Sequence, residues 1–293
     1  MDFSTSLPLL TNALIAGLLL GGFYAAVSVG VTISFGMLDV VNIAHPAFVV
    51  VGAYVVYWLN LHTSIDPIVL SLCMTPLFFV AGVAIYRIYY LAFERRGQEA
   101  LRGLAFFFGV LFITEVALIL TFGVDYRLVQ TAYSEKIVRF ASIDLPMRLV
   151  VPFLVSVALV AALHTLFVST FFGRSVLAVA QDSAALRLMG VNPVRVKEFA
   201  FALSIVTAGI AGALLIVIQP IHPAIGREFI ILVFAVCVLG GMGSIWGTLF
   251  AAFVLGLAES LTSTFFGPSW APAVSFGLLL LTLAFRPQGL FGR

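Results

Sequence analysis

The chain has 293 residues, of which 62% are hydrophobic and only 10% are charged, and its formal net charge is +2. Soluble domains are about 45–50% apolar and about 25% charged, so this composition excludes a water-soluble globular fold. The few basic residues are dispersed rather than gathered on one face, which argues against nucleic-acid binding. Because about 20 helical residues cross a bilayer, the length allows about eight to ten passes. We therefore expect an all-α, polytopic membrane protein in which residues 1–293 form a single transmembrane domain.

Eight apolar blocks follow one another along the chain, and some of them are long enough to contain broken or re-entrant helices. They occupy residues 8–35, 37–59, 65–93, 104–122, 148–172, 199–218, 229–263 and 271–285. Three polar connections between these blocks each contain four Lys or Arg residues, and they span residues 87–102, 127–148 and 174–197. Orientation normally follows the excess of Lys and Arg on cytoplasmic loops, so three equal connections leave it undecided.

The order of the crossings constrains the orientation further. Single crossings at 104–122 and 148–172 would place the first and third connections on the same side of the membrane. Arg286 and Arg293 near the end of the chain favour a cytoplasmic C-terminus. That end shares the side of the third connection only if block 229–263 enters and leaves the membrane on one side, as a re-entrant segment does.

The first interruption of the apolar pattern is the segment Asp39–Pro46. Pro46 has no backbone N–H, so a continuous helix is disfavoured there. Freed backbone groups at bilayer depth are tolerated only where they are buried in protein or line a wet cavity. Asn42 and His45 occupy this break and can satisfy the freed backbone or meet a solute, so we assign both to the candidate substrate pathway. A metal site is not predicted, because no further ligand residue recurs at suitable spacing beside His45.

Glu115 lies inside an apolar block with no basic residue within one helical turn. An acid at mid-helix costs about 2.5–3.5 kcal/mol on insertion scales, so it should face the bundle interior and be paired, hydrated or protonated. Two interpretations stay open, a polar contact lining the solute path and a structural hydrogen bond to another helix. Glu259 follows a long apolar run near a predicted helix end, and we expect it to reach the membrane interface.

The connection at about 173–198 has the composition of a helix rather than of a turn-rich loop. Asp182 or Ser183 can cap its start, and Gly190 suits the left-handed conformation at its end. The following Asn192–Pro193 pair is typical of an N-cap and a first-turn proline. The helix carries apolar side chains that need cover, either from a partner protein or from lipid headgroups, and these are Leu186, Leu188 and Met189.

The second interruption is the segment 240–247, which contains three glycines within four residues. Glycine-interrupted segments in corresponding halves of a transporter indicate a translocation site, although glycines also permit close helix packing. We assign Gly241, Gly243 and Ser244 to the candidate substrate pathway. The chain lacks the G-x-x-x-x-G-K-[ST] phosphate loop, so ATP hydrolysis would have to occur in another subunit. We expect neither a catalytic site nor a cofactor or metal in this chain.

Four motifs occur in a recognisable order along nearly the whole chain. They lie within Gly21–His45, Phe172–Gly190, Leu239–Ser244 and Arg286–Leu290. In this combination the sequence resembles the LivH-type permeases of the branched-chain amino acid ABC-transporter family. The resemblance implies a multi-pass protein of the bacterial inner membrane. It also implies a heterodimer with a second permease, two cytoplasmic ATPase subunits that bind ATP and Mg, and a periplasmic solute-binding protein.

The same resemblance implies that residues 181–190 form a coupling helix seated in a cleft of the ATPase. Its candidate contact residues are Gln181, Asp182, Ala185, Leu186, Arg187, Leu188, Met189 and Gly190. Two positions depart from the family pattern. Pro46 stands where relatives usually carry glycine, which should stiffen the first break, and Thr114–Glu115 stands where many relatives carry neutral amide residues.

The expected function is that of a permease subunit importing branched-chain or other amino acids by alternating access. Related permeases also serve urea, short amides and aromatic acids, and the acid at Glu115 leaves the choice among these solutes open. A secondary transporter or channel that uses Glu115 as an ion site is a further alternative. An intramembrane enzyme is disfavoured, because Glu115, Asn42 and His45 form no local catalytic constellation in the sequence.

Overall fold

The computed structural model describes residues 3–97, 99–140 and 143–292. Nearly all regular structure within these residues is helical, and eight helical segments are long and apolar enough to cross a membrane. The prediction of an all-α, polytopic membrane protein is therefore confirmed. In chain order the elements are α1 (Phe3–Val31) with a π-helical extension (Thr32–Met37), α2 (His45–Thr63), α3 (Pro67–Ala92), a 3₁₀ turn (Glu94–Arg96), α4 (Glu99–Phe122), β1 (Ile137–Phe140), β2 (Ile143–Pro146), α5 (Met147–Ser169), α6 (Phe171–Gln181), α7 (Ser183–Leu188), α8 (Pro193–Ile218), α9 (Ile225–Gly240), α10 (Ile245–Phe266), a second 3₁₀ turn (Pro268–Trp270) and α11 (Ala271–Phe285).

The polar connections gather at two opposite ends of the helix bundle. At one end, which we call the α7 end, Lys197 Nζ donates to Glu94 Oε1 at 2.7 Å and joins the first and third connections. This contact confirms that these two connections share one side. At the other end, the hairpin end, β1 and β2 pair antiparallel, and β2 packs against α1 and α5. Burial there, with the nearby Asp66 carboxylate, raises the pKa of Tyr133 to about 12.

Close approach of helix backbones organises the interior. Helix α8 is buried along most of its length and packs against α2 and α3. A Cβ placed on Gly212 of α8 would lie 2.1 Å from the Val49 carbonyl oxygen of α2, so only glycine fits this crossing. Helices α1 and α10 pack in the same way, since a Cβ on Gly21 would lie 2.7 Å from the Ala252 carbonyl oxygen.

Large apolar side chains cover the outward faces of the peripheral helices. Examples on α3, α4 and α11 are Leu77, Val80, Ile113, Leu120 and Phe285, all of which are exposed. Such faces would aggregate in water, whereas lipid tails solvate them at no cost. The hydrophobic excess of the sequence is therefore divided between a packed centre around α8 and a lipid-facing rim.

The block predicted as re-entrant forms two helices, α9 and α10, that meet at the turn 241–244. The ring centroid of Trp246, at the start of α10, lies 5.1 Å from that of His164 near the end of α5. This contact places the turn at the α7 end of the bundle. The C-terminal segment covers the turn, because Leu290 N donates to Leu239 O at 2.8 Å. Arg286 therefore lies at the α7 end, as the prediction for the orientation requires. Arg293 lies outside the described residues.

Candidate transport site and coupling helix

The first predicted break is present, and it spans more residues than Pro46 alone would interrupt. Helix α1 loosens into its π-helical extension, the chain is non-helical over 38–44, and α2 begins at His45. Asp39 adopts a left-handed φ of 60°, which ends the extension. Pro46 sits in the first turn of α2, where its missing N–H leaves no intrahelical bond unmade.

Asn42 and His45 are fully buried within this break. Asn42 Oδ1 accepts a hydrogen bond from Ala44 N at 3.1 Å, and His45 Nε2 lies 3.1 Å from Val27 O of α1. Asn42 thus satisfies a backbone group within the break, and His45 links the start of α2 to α1. Asn42 Nδ2 and His45 Nδ1 have no hydrogen-bond partner among the described residues. Both side chains therefore keep one unused polar atom in the interior.

A third interruption separates α8 from α9 at residues 219–224, within the gap that the sequence leaves between the apolar blocks 199–218 and 229–263. Pro220 and Pro223 lie in this segment and disfavour a continuous helix there. Helix α9 begins against the start of α2, since a Cβ on Gly226 would lie 3.3 Å from Pro46 O. The two helix N-termini that meet here are called the paired N-termini below. The positive ends of the two helix dipoles meet here, which suits an anionic group, and the first N–H groups of α2 already donate within the chain.

Glu115 is paired with a base that lies far away in the sequence. Arg227 Nη2, in the first turn of α9, donates to Glu115 Oε1 of α4 at 2.7 Å. The Glu115 side chain is 10% exposed and that of Arg227 is 52% exposed. The carboxylate is therefore held in the protein, whereas the guanidinium keeps an accessible face beside the paired N-termini. This ion pair is compatible with both interpretations left open for Glu115.

The remaining predicted pathway residues lie at the α7 end of the bundle. Gly241 and Gly243 form the turn between α9 and α10 with φ values of 92° and 85°, which favour glycine. Ser244 Oγ accepts from Gly247 N at 3.0 Å and caps α10. A Cβ on Gly36, in the π-helical extension of α1, would lie 2.2 Å from Gly243 N, so the first break and this turn are in direct contact.

The structure thus divides the predicted pathway into two clusters. Asn42, His45 and Glu115 surround the paired N-termini, whereas the glycine turn and Ser244 lie at the α7 end. The two clusters are connected by α9, which begins in the first and ends in the second. In the described part of the chain, the six residues therefore do not surround one cavity.

The segment predicted to be a coupling helix is built as its composition indicates. Asp182 Oδ1 accepts from Ala184 N and Ala185 N at 2.8 and 3.0 Å and caps α7, while Gly190 ends the segment at a φ of 80°. Asn192 then caps α8 by accepting from Val194 N at 3.0 Å. Every member of the predicted contact set except Leu186 is exposed, including Gln181, Ala185 and Arg187.

The three apolar residues of this segment have different surroundings. Leu186 is buried by the chain itself, so it needs no external cover. Leu188 is 91% exposed and Met189 is 80% exposed at the tip of the α7 end. Their exposure is the unusual observation, since large apolar side chains at a polar end of the bundle lack both protein and lipid-tail contacts.

The prediction that Glu259 reaches the membrane interface is wrong. The residue is buried on α10 beneath α11, and Tyr24 Oη of α1 donates to its Oε2 at 2.6 Å. Ser275 Oγ of α11 donates to its Oε1. A short connection brings α11 back over the end of α10, and this tertiary packing covers a position that looks terminal in the sequence.

Comparison with known proteins adds an independent observation. The family described as branched-chain amino acid transport system, permease component, matches residues 13–283. The high-affinity branched-chain amino acid transport system permease protein BraD of Pseudomonas aeruginosa is 29% identical over 299 residues, covering 96% of this chain and 95% of BraD. LivH of Escherichia coli K12, named as the same kind of permease, is 29% identical and covers 94% of each chain. LivM of that organism is 34% identical over 145 residues, 47% of this chain and 34% of LivM. No solved structure matches.

Proposed function

Because the chain belongs to the permease family of branched-chain amino acid transport systems, we propose that it is the membrane subunit of an ABC importer for branched-chain or other amino acids. In this proposal it is a multi-pass protein of the bacterial inner membrane that pairs with a second, LivM-like permease. Two cytoplasmic ATPase subunits hold ATP and Mg, and a periplasmic binding protein delivers the solute. The chain itself performs no covalent chemistry.

The observation that carries the proposal is the Glu115–Arg227 pair beside the paired N-termini. Interrupted helices whose N-termini point to one place form anion sites in several transporter folds. Arg227 adds a guanidinium with an accessible face, a group that binds carboxylates in a bidentate manner. Glu115 neutralises this guanidinium when no solute is present. A solute that carries a carboxylate is therefore favoured over neutral solutes such as urea or short amides.

The fold also supports a mechanical path from α7 to this site. Helix α7 lies between α6 and α8, and α6 contacts the π-helical extension of α1. That extension touches the glycine turn at the end of α9, so a displacement of α7 can reach α9 through packed elements. In the proposed cycle, closure of the ATPases displaces α7, and the first break and the glycine turn absorb the change between outward- and inward-open states.

The exposed tip of α7 supports the assignment of a partner at that end. Leu188 and Met189 would remain uncovered on the isolated subunit, whereas a hydrophobic cleft of an ATPase would bury both. Burial of two such side chains contributes about 1.5–3 kcal/mol each before other costs. This contribution suits a contact that must hold during each transport cycle.

A secondary transporter or channel with Glu115 as its ion site is the rival function. The pairing of Glu115 with Arg227 disfavours it, because the carboxylate already has a cation and a bound ion would have to compete with the guanidinium. The two functions differ in their energy source. The importer needs ATP and its partner subunits, whereas the rival needs only an ion gradient.

Uptake of labelled leucine into proteoliposomes tests the proposal. We expect uptake when this chain, the second permease, both ATPases, the binding protein and ATP are present together. Uptake should be lost in the Leu188→Asp variant, whose tip can no longer enter an apolar cleft, and be retained in the matched control Leu177→Asp variant on the exposed face of α6. Uptake by the permease alone under a proton or sodium gradient would contradict the proposal.

A further inference from the structure

A second acidic site lies on the other side of α9 from the Glu115–Arg227 pair. A cavity of about 230 Å³ opens among α1, α9, α10 and α11, and Glu259 lies in its wall. Glu228, the neighbour of Arg227 in the sequence, also lines the cavity. Consecutive helical residues point about 100° apart, so α9 presents its guanidinium to α4 and its carboxylate to this cavity. We call it the Glu259 cavity.

Two hydroxyl groups from different helices hold the Glu259 carboxylate in the cavity wall by hydrogen bonds. Tyr24 Oη donates to one oxygen at 2.6 Å and Ser275 Oγ donates to the other. An ionised carboxylate offers about four acceptor positions, so two donors leave acceptor capacity on each oxygen. The residue is 6% exposed, and this desolvated group is held in one orientation rather than left mobile.

The charge of this site is unbalanced within the described residues. Two carboxylates line the cavity, and none of its lining residues is Lys, Arg or His. Glu228 is 70% exposed and lies 3.6 Å from His222 outside the lining, whereas Glu259 has no ionic partner among the described residues. An isolated carboxylate inside a membrane bundle is costly, so it requires a proton or a cation. The two hydroxyl donors hold the carboxylate but bring no charge. A ligand that carries a positive charge is therefore complementary to the cavity.

The remaining walls select an organic cation over a metal ion. Phe23 and Phe229 line the cavity with their rings in an edge arrangement, their centroids 6.2 Å apart. Aromatic faces attract ammonium groups, and the neighbouring aliphatic walls suit a short apolar body. A hard metal ion would instead need six or more oxygen ligands, far more than this cavity supplies.

We infer that the Glu259 cavity binds a primary ammonium group carried on a short apolar body, with the ammonium on the free side of the Glu259 carboxylate. Either a transported amino acid or the headgroup of phosphatidylethanolamine can supply this chemistry. The inference does not depend on the proposed transport function, because the lipid amine would fill the site in any membrane protein with this cavity.

Thermal unfolding of the full-length chain, purified with its permease partner in nanodiscs of phosphatidylglycerol, tests the solute source. The probes are 3-methylbutylammonium, which has the amine and an apolar body, and 4-methylpentanoate, which has a carboxylate instead. A saturating ligand that binds only the folded state should raise the unfolding midpoint by at least about 2 °C. We expect this shift with the ammonium probe and none with the carboxylate probe.

Two variants and one control locate the effect. Glu259→Gln removes the charge with little change of shape, and Ala271→Leu fills the cavity while keeping the carboxylate, so both should abolish the shift. Ala271 lines the cavity at the start of α11. If Glu259→Gln fails to fold, Ala271→Leu still tests whether the ammonium probe binds in this cavity. Glu135→Gln, at an exposed acid near the hairpin end, should leave the shift unchanged.

The lipid source is tested by replacing phosphatidylglycerol with phosphatidylethanolamine or phosphatidylcholine. A midpoint that is higher in phosphatidylethanolamine, and only when Glu259 is present, identifies the lipid amine as the ligand. A shift by 3-methylbutylammonium that leucine also produces identifies a solute. The inference is overturned if neither amine raises the midpoint, or if Glu259→Gln responds as the wild type does. Leucine uptake by the complete importer would still decide the proposed function separately.

Discussion

Removing either partner of the Glu115–Arg227 pair should have unequal consequences. In Arg227→Met, the Glu115 carboxylate loses its cation while it stays 10% exposed between α4 and α9. In Glu115→Gln, the neutral amide oxygen can still accept from Arg227, and the guanidinium is already 52% exposed. Arg227→Met should therefore destabilise the protein more than Glu115→Gln does, although each variant removes one charge.

The expected magnitudes follow from exposure. Removing one partner of a fully buried pair costs about 3–5 kcal/mol, because the other charge is left uncompensated. Since half of the Arg227 side chain is accessible, solvent screening reduces this cost, and we expect about 1–3 kcal/mol for Arg227→Met. Glu115→Gln should cost less than about 1 kcal/mol, the worth of an ordinary hydrogen bond. At about 2–4 °C per kcal/mol, the midpoints should differ by several degrees.

Thermal unfolding of the single variants and of Glu115→Gln/Arg227→Met measures this asymmetry. Once the carboxylate is gone, loss of the guanidinium should add little, so the double variant should resemble Glu115→Gln alone. Leucine uptake should fall in Arg227→Met even at temperatures where the variant is folded, since the solute carboxylate loses its contact. Equal single effects that add in the double variant would refute the reasoning.

Three further outcomes are expected. Leu186→Asp should lower the unfolding midpoint because Leu186 is buried by the chain, whereas Leu188→Asp should leave the midpoint unchanged and abolish solute-stimulated ATPase activity of the assembled importer. Gly212→Ala should destabilise by about 1–3 kcal/mol because its Cβ would overlap Val49 O, while Gly109→Ala, with open space around it, should be neutral or stabilising in the same unfolding assay. Gly190→Ala should cost about 1–2 kcal/mol and weaken co-purification of the ATPase, because an L residue strains the φ of 80° that ends the coupling segment.

Local sequence signals predicted the breaks and the ends of helices well. The Pro46 break, the Asp182 cap of α7 and the left-handed Gly190 all depend on residues within one turn of each other. The side chain and the backbone group that it satisfies are neighbours in the chain, so no knowledge of the tertiary fold is needed. The family resemblance was likewise predictable, since its motifs are continuous segments, and the family match over residues 13–283 confirms it.

The ionisable sites could not be predicted in the same way. Glu115 and Arg227 are separated by 112 positions, and Tyr24 and Glu259 by 235. Hydropathy shows that such a carboxylate needs a partner, but it does not identify the helix that supplies one. For Glu259 the local pattern was misleading, because nearness to a helix end does not reveal that α11 folds back over it. Only the packing of distant helices decides these partners.

Helix α9 is the element through which the two ionisable sites and the α7 end are linked. Its first turn carries Arg227 toward α4 and Glu228 toward the Glu259 cavity, so any rotation of α9 moves both charged groups together. Its last residues lead into the glycine turn that contacts Gly36. A displacement at the α7 end that turned α9 would pull Arg227 from Glu115 and change the charge facing the cavity in the same step. Phe35 of the π-helical extension and Phe234 of α9 have ring centroids 5.9 Å apart, so Phe35→Cys and Phe234→Cys can be joined by a short thiol cross-linker. The cross-linked protein should therefore lose uptake, and the same double variant without the cross-linker should keep it.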